Sequence, residues 1–259
     1  METVASADGT PIAYDRYGDE PPLITAAGAF CARLTTDPLA RALAAQFTVL
    51  NYDRRGRGDS GDTAPYAVER EIDDLAALIG AAGGSAAVFG HSSGATLALK
   101  AAASGLPVTH LVLYEPPFNP DDSFPRLPAG LAGELAGLVA DGRRGEAVEL
   151  YQTRAVGMPE EVVAQLRHAP FRPGLEAIAH TLAYDAAIIG DRSLPAAMLA
   201  TITIPALVIT GEQSPPFLTG AAKAASATLP AGQLAVLPGQ THDINPEATA
   251  PVIAEFLTT

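Results

Sequence analysis

The 259-residue chain has no tryptophan, a single cysteine and an aromatic share of 6%. One cysteine, Cys31, forms no internal disulfide, and no C-x-x-C pair or Cys/His cluster suggests a zinc site, so no metal is expected and a reducing, cytoplasmic setting is. So few aromatics also argue against a stacked sugar platform. Basic residues are scarce: 16 Lys and Arg stand against 29 Asp and Glu, a formal charge of −13. Such a field repels phosphate backbones and anionic lipid, which excludes nucleic acid and membrane surfaces as expected partners. No run of about 18 apolar residues escapes Gly, Pro or charge, so no membrane span is expected. The N-terminal METVASADGTPIAYDRYGDE lacks the basic start and apolar run of a secretory signal, and no repeat of about 20 to 50 residues recurs.

What is present is core-forming material: 48% of residues are hydrophobic and 17% charged, the make-up of a packed soluble protein rather than a disordered chain. Strand-like runs at 3–6 and 12–17 flank Asp8-Gly9-Thr10, a strong hairpin signal. Short apolar runs at 23–26, 48–52, 86–89, 110–114, 206–210 and 234–237 read as buried parallel strands. Helical patterns at 38–46, 68–82, 93–104, 217–229 and 246–257 alternate with them. The succession predicts an α/β fold with a mostly parallel sheet and helices on both faces.

The alternation breaks once. Residues 119–203 carry helical spacing at 131–140, 146–155, 160–167 and 175–189 but no convincing strand, and Pro116-Pro117 and Leu194-Pro195 punctuate the borders. This segment reads as a helical cap set into a core made of residues 1–118 and 204–259.

The most specific signal is Gly90-His91-Ser92-Ser93-Gly94, a G-x-S-x-G directly after one apolar strand and directly before a helix. A tight strand–turn–helix holds a serine hydroxyl above the sheet edge, and the helix beginning at Ser93 aims its N–H groups at the same point. Ser92 is therefore the candidate nucleophile. Of the five histidines, His242 alone follows the last strand and precedes the terminal helix; its neutral imidazole suits a general base.

Several stretches together make the chain resemble the α/β-hydrolase-fold superfamily, specifically serine esterases and lactonases with a helical cap. Besides the elbow, Asp53-Arg54-Arg55-Gly56-Arg57-Gly58-Asp59-Ser60 resembles the structural turn D-x-R-G-x-G-x-S after the fourth strand. The resemblance implies Ser92 as nucleophile, His242 as base, and an oxyanion hole built from the backbone N–H groups of Ser93 and Ala29. It implies that Gly28 supplies the turn of that loop, that Phe30 walls the pocket, and that His91 is a spacer bordering the substrate site. No cofactor is implied.

The chain departs from the family pattern at the acid. Where G-x-x-D is usual it reads Gly211-Glu212-Gln213-Ser214. Glu115, at the carboxyl end of the strand after the elbow helix, is the first candidate, a placement similar to that in some zearalenone-type lactone hydrolases and some dehalogenases. Glu212, or a dyad without any carboxylate, remains open, while Asp243 is too close in sequence to fold back on His242. Cap residues such as Leu131, Leu135, Leu182 and Ile188 are candidates for lining the cleft, and Arg33, Arg126, Arg167 and Arg172 for meeting an anion. The expected substrate is a small to medium, largely apolar ester or lactone, processed by a monomer or homodimer. A lyase, cyclase or cofactor-free oxygenase using Ser and His for proton transfer is the alternative, and a ligand-binding protein without catalysis is the third reading.

Overall fold

In the computed structural model, residues 1–19, 21–121 and 124–259 are described. The hairpin of β1 (Glu2–Ala5) and β2 (Pro11–Tyr17) opens the chain, followed by β3 (Pro22–Ala26), α1 (Arg33–Leu43), β4 (Thr48–Tyr52), α2 (Val68–Ala81), β5 (Ala86–His91), α3 (Ser93–Ala103) and β6 (Val108–Tyr114). After a helical stretch come β7 (Ala206–Gly211), α10 (Pro216–Thr228), β8 (Gly232–Leu237) and α11 (Pro246–Leu257). The eight strands form one sheet in the order β1-β2-β4-β3-β5-β6-β7-β8, antiparallel at β1/β2 and β2/β4 and parallel elsewhere.

Period-2 alternation sends the two sides of each strand into two cores. On one face Ile24, Leu50, Val88, Leu111, Leu113 and Val208 pack with α2, α3 and α10; on the other Leu23, Val49, Phe89, Val112 and Ile209 pack with α1 and α11. A strand covered on both sides has no solvent-facing position, and all six residues of β5 are buried. Because β5, β6, β7 and β8 are parallel neighbours, their carboxyl ends, and the loops that leave them, converge on one edge of the sheet.

Between β6 and β7 lie α4 (Leu131–Ala140), α5 (Arg144–Tyr151), α6 (Glu160–Leu166), α7 (Arg172–Ala177), α8 (Thr181–Ile189) and α9 (Ala196–Leu199), with one π-helical turn at Gln152–Val156. They have their own apolar cluster, centred on Leu131, Leu135, Val148, Tyr151 and Leu182, against which Ala29 and Phe30 of the core pack. No described helix is long and apolar enough to cross a membrane.

Two helix readings need correction. The expected helix 175–189 is two helices, α7 and α8, because the chain tightens between them: Thr181 donates to the Ile178 carbonyl through both its N–H, at 3.0 Å, and its hydroxyl, at 2.8 Å. Ala179 and Leu182 likewise donate to the carbonyls of Glu176 and Ala179, each at 3.2 Å, so the ladder closes at three residues here rather than four. Helix α1 starts at Arg33, five residues before Pro38, because tertiary contacts order its first turn. Asp53 accepts the Arg33 N–H at 2.7 Å and Asn51 donates to the Arg33 carbonyl at 2.8 Å.

Candidate active site

Ser92 sits at the turn between β5 and α3 with φ 54° and ψ −119°, a conformation that costs a non-glycine residue about 1–3 kcal/mol. Its N–H donates to the Tyr114 carbonyl at 2.9 Å, and among the described residues its hydroxyl has no hydrogen-bond partner. The turn tolerates no side chain on either side: a Cβ on Gly94 would lie 2.3 Å from the Ala26 carbonyl oxygen, and one on Gly90 would lie 2.4 Å from that of Gly94. Gly94→Ala is expected to destabilise the fold by about 1–3 kcal/mol through overpacking and to displace Ser92, read as a lower urea midpoint together with lost reactivity of Ser92.

Glu115 continues β6 with φ 48° and is fully buried. Its Oε1 accepts the Thr210 hydroxyl and the Gly211 N–H, both at 2.8 Å, while Oε2 lies 2.6 Å from His242 Nδ1. Burial alone would push this carboxyl up, but the bonds from His242 and Gly211 hold it below the ordinary glutamate range. Glu212 stands elsewhere, exposed, with its carboxylate accepting the Gly239 N–H at 2.9 Å.

The loop bearing His242 is tied down at three points. Tyr114 Oη donates to the Thr241 carbonyl at 2.7 Å, Gln213 N–H to the Gln240 carbonyl at 2.8 Å, and His91 Nε2 lies 3.0 Å from the His242 carbonyl. A carbonyl only accepts, so His91 carries its proton on Nε2. Burial, reinforced by His242, pushes the His91 pKa down to about 3, leaving the ring neutral.

A cavity of about 320 Å³ joins these parts, at the small end of ligand pockets. Ser92, His242, Ala29, Phe30, Cys31 and His91 line it from the core, and Tyr151, Ala155, Val156, Ile189 and Arg192 from the helical segment. The four described non-glycine residues with positive φ are Phe30, Ser92, Glu115 and Arg192; three line the cavity and the fourth holds His242. Strained backbone is thus gathered around one cavity, a clustering common at functional sites.

A family model described as "Alpha/beta hydrolase family" matches residues 23–255. The chain belongs to the α/β hydrolase family. Among solved structures it is similar to an α/β hydrolase from Sphaerobacter thermophilus, with 53% identity, a TM-score of 0.92, and coverage of 99% of this chain and 100% of that one. Among curated relatives it is 31% identical to a 2-(acetamidomethylene)succinate hydrolase of Mesorhizobium japonicum over 85% of this chain and 82% of the relative. It is 37% identical to an N-formylmaleamate deformylase of Pseudomonas putida over 44% of each chain.

This α/β hydrolase differs from its sequence reading at several positions. Gly28 is buried behind the cavity wall rather than in it, and the positive φ falls on Phe30, at 61°. Gly28 lets the loop approach closely, since a Cβ there would make tight contacts of 3.1 Å with the Ser92 Cβ and with His91 Nδ1. Phe30 lines the wall with its ring edge-on to Tyr151 at 5.4 Å. Ser93 is buried and, like Ala29, forms no backbone hydrogen bond through its N–H among the described residues. The named apolar positions of the helical segment, Leu131, Leu135, Leu182 and Ile188, are core residues, and the lining comes from their neighbours.

The arginines considered for an anion face other groups. Arg33 pairs with Asp15, Asp53 and Asp59, Arg167 with Glu149, Arg172 with Glu149 and Glu176, and Arg126 with Asp191. Cys31 borders the cavity, and burial pushes its thiol up, against thiolate chemistry. Among the described residues no group of three or more His, Cys, Asp or Glu could hold a metal ion.

A buried ionic network beneath the site escaped the sequence reading. Arg54 grips Glu71 through two bonds of 2.7 and 2.9 Å and reaches Asp185 of α8 at 2.8 Å. Arg57 meets the other Asp185 oxygen at 2.7 Å and donates to the carbonyls of Gly28 and Cys31. The Ser93 hydroxyl donates to Asp185 at 2.7 Å. The loop beside Ser92, the start of α3 and the helical segment are thus joined at one carboxylate. Three arginines within four residues, in a chain with 16 basic residues in all, was the available signal; a turn assignment explains their spacing but not their charge.

Proposed function

We propose that the protein is a serine hydrolase that cleaves a carboxylic ester or lactone through an acyl-enzyme. The observation that carries this reading is the 2.6 Å contact between His242 Nδ1 and the buried Glu115 carboxylate, on the wall of the cavity that Ser92 faces. With Nδ1–H donated to Glu115, His242 Nε2 is the free base. It takes the Ser92 hydroxyl proton as Oγ attacks the substrate carbonyl carbon, and returns that proton to the leaving alcohol as the C–O bond breaks. Water then repeats the sequence on the acyl-serine, releasing the acid and restoring Ser92. The N–H groups of Ser93 and Ala29 serve the oxyanion of each tetrahedral intermediate. In this reading residues 119–203 act as a cap whose wall, through Tyr151 and Ile189, gives the acyl chain an apolar surface.

An amide in place of the ester is the second reading, favoured by the curated relative named as a deformylase of N-formylmaleamate. Both readings need the same nucleophile. A fluorophosphonate probe followed by peptide mass spectrometry is expected to leave one adduct, on Ser92, in the wild type and none in Ser92→Ala. Equal labelling of both proteins, or an adduct elsewhere, would refute the assignment.

A further inference from the structure

Arg192 is the one Lys or Arg among the described residues on the cavity wall, and the proposed chemistry gives it no task. It follows α8, is 2% exposed, and lines the cavity with Ser92 and His242. Its Nε and Nη1 are buried with no hydrogen-bond partner, and no ion pair reaches its guanidinium among the described residues. The adjacent Asp191 carboxylate turns away, accepting the Ser193 N–H at 2.8 Å and hydroxyl at 2.7 Å. The one carboxylate on the wall among the described residues, Asp243, is exposed and forms no ion pair with it.

A buried, unpaired guanidinium is costly, because the lost hydration is replaced by nothing of opposite charge. Among the described residues the burden is eased by aromatic faces: the ring centres of Phe124 and Phe217 lie 5.0 Å and 5.8 Å from the guanidinium carbon, and these two rings stack on each other at 4.2 Å. The backbone is strained as well, with φ 70°, and is held there by Asn119 N–H donating to the Arg192 carbonyl at 2.7 Å. The geometry keeps a cation on the cavity wall, and among the described residues no carboxylate pairs with it. On the same wall the Tyr151 hydroxyl also lacks a hydrogen-bond partner among the described residues, while its ring is fixed by Phe30.

We infer that the substrate supplies the missing anion: it is an ester or amide bearing a free carboxylate, received by the Arg192 guanidinium and the Tyr151 hydroxyl while its scissile carbonyl meets Ser92. This rests on the hydrolase reading above and replaces the largely apolar substrate expected from the sequence with an anionic one. A carboxylate suits a planar fork of donors, and the apolar remainder of the cavity suits a short carbon chain between the two carbonyl groups.

Two measurements test this. The first compares monoethyl glutarate with the neutral ethyl pentanoate by acid release at constant pH. The wild type is expected to favour the glutarate ester in kcat/KM by at least about 10-fold. Arg192→Met is expected to lose about 100-fold on that ester, mostly through KM, and far less on ethyl pentanoate, as for removal of hydrogen bonds to a charged group. The second is binding of glutarate by thermal shift, which needs no chemistry at Ser92. Glutarate is expected to raise the wild-type Tm and leave Arg192→Met unmoved, and ligand-free Arg192→Met is expected to melt no lower than the wild type because an unpaired buried charge has gone.

A glutarate shift of the same size in both proteins, no shift in the wild type, or equal losses on the two esters would overturn the inference. The two readings fail separately. Glutarate binding that depends on Arg192, with no fluorophosphonate adduct on Ser92, leaves the anion site standing without the hydrolase. An adduct on Ser92 with no dependence on Arg192 does the reverse.

Discussion

Glu115→Gln is expected to lower kcat by about 10³- to 10⁴-fold while leaving the protein folded, the size of effect found when a triad carboxylate becomes an amide. The hydrogen bonds dictate the reason. Two donors, the Thr210 hydroxyl and the Gly211 N–H, converge on Oε1 at 2.8 Å, so the amide oxygen of a glutamine must take that place. Its NH₂ then faces His242 Nδ1, which can no longer donate and must accept. The ring proton moves to Nε2, the nitrogen needed as the base. Shape and burial are preserved, so the loss falls on kcat rather than on folding.

Glu212→Gln is the matched control. Its carboxylate is exposed and, among the described residues, hydrogen-bonds only the Gly239 N–H, so both activity and stability should stay close to the wild type, the latter within about 0.5 kcal/mol. A crippled Glu212→Gln, or a Glu115→Gln that keeps more than about a tenth of the wild-type kcat, would reassign the acid. The sign of the pH effect follows from the lowered Glu115 pKa. A depressed carboxyl contributes stability that is present above its unfolded value and is lost as pH falls through the folded one. The hold on His242 is therefore expected to fail only on acidification below the ordinary glutamate range.

Asp185→Asn is expected to reduce the free energy of unfolding by about 3–5 kcal/mol, the cost of breaking a buried ion pair from one side. Among the described residues Arg57 has no other carboxylate: its remaining partners are the carbonyls of Gly28 and Cys31. Arg54 keeps Glu71 but loses its second anion. Burial would push the Asp185 carboxyl up, yet Arg57 and Arg54, with the Ser93 hydroxyl, hold it below the ordinary range, so the native network needs it charged. Urea unfolding measures the effect. A midpoint close to that of the wild type would mean that water reaches and rescues the two guanidinium groups. Because the same carboxylate anchors Ser93 and, through Arg57, the loop carrying Ala29, activity at low urea is expected to fall before the fold is lost.

The sheet was legible because each strand declares itself within a handful of residues. The expected strand at 48–52 and the helix at 246–257 coincide with β4 (Thr48–Tyr52) and α11 (Pro246–Leu257), where β-branched residues and an Asn-Pro start signal state local preferences that packing does not overrule. Reading failed where a preference was overruled. Arg33 to Asp37 form helix although Pro38 looks like a start, because Asp53 and Asn51 order that turn from another strand. Residues 175–189 keep helical spacing throughout, yet the backbone tightens to i,i+3 bonds at Ala179, Thr181 and Leu182.

At the site, the sequence by itself determined what a few consecutive residues can encode: the Gly-x-Ser-x-Gly turn, whose glycines leave no room for a Cβ, and the place of His242 between the last strand and the last helix. It narrowed the carboxylate near His242 to two residues or none. Only the tertiary structure decided which lies there, since Glu115 and His242 are 127 residues apart and meet through the neighbouring positions of β6, β7 and β8. The same holds for Arg54 and Asp185, separated by 131 residues, and for Arg192, whose lack of a partner is a property of everything that surrounds it. Backbone preference is local and survives in any short segment. Charge pairing and burial depend on which distant segments share a volume, and that is settled only when the chain has folded.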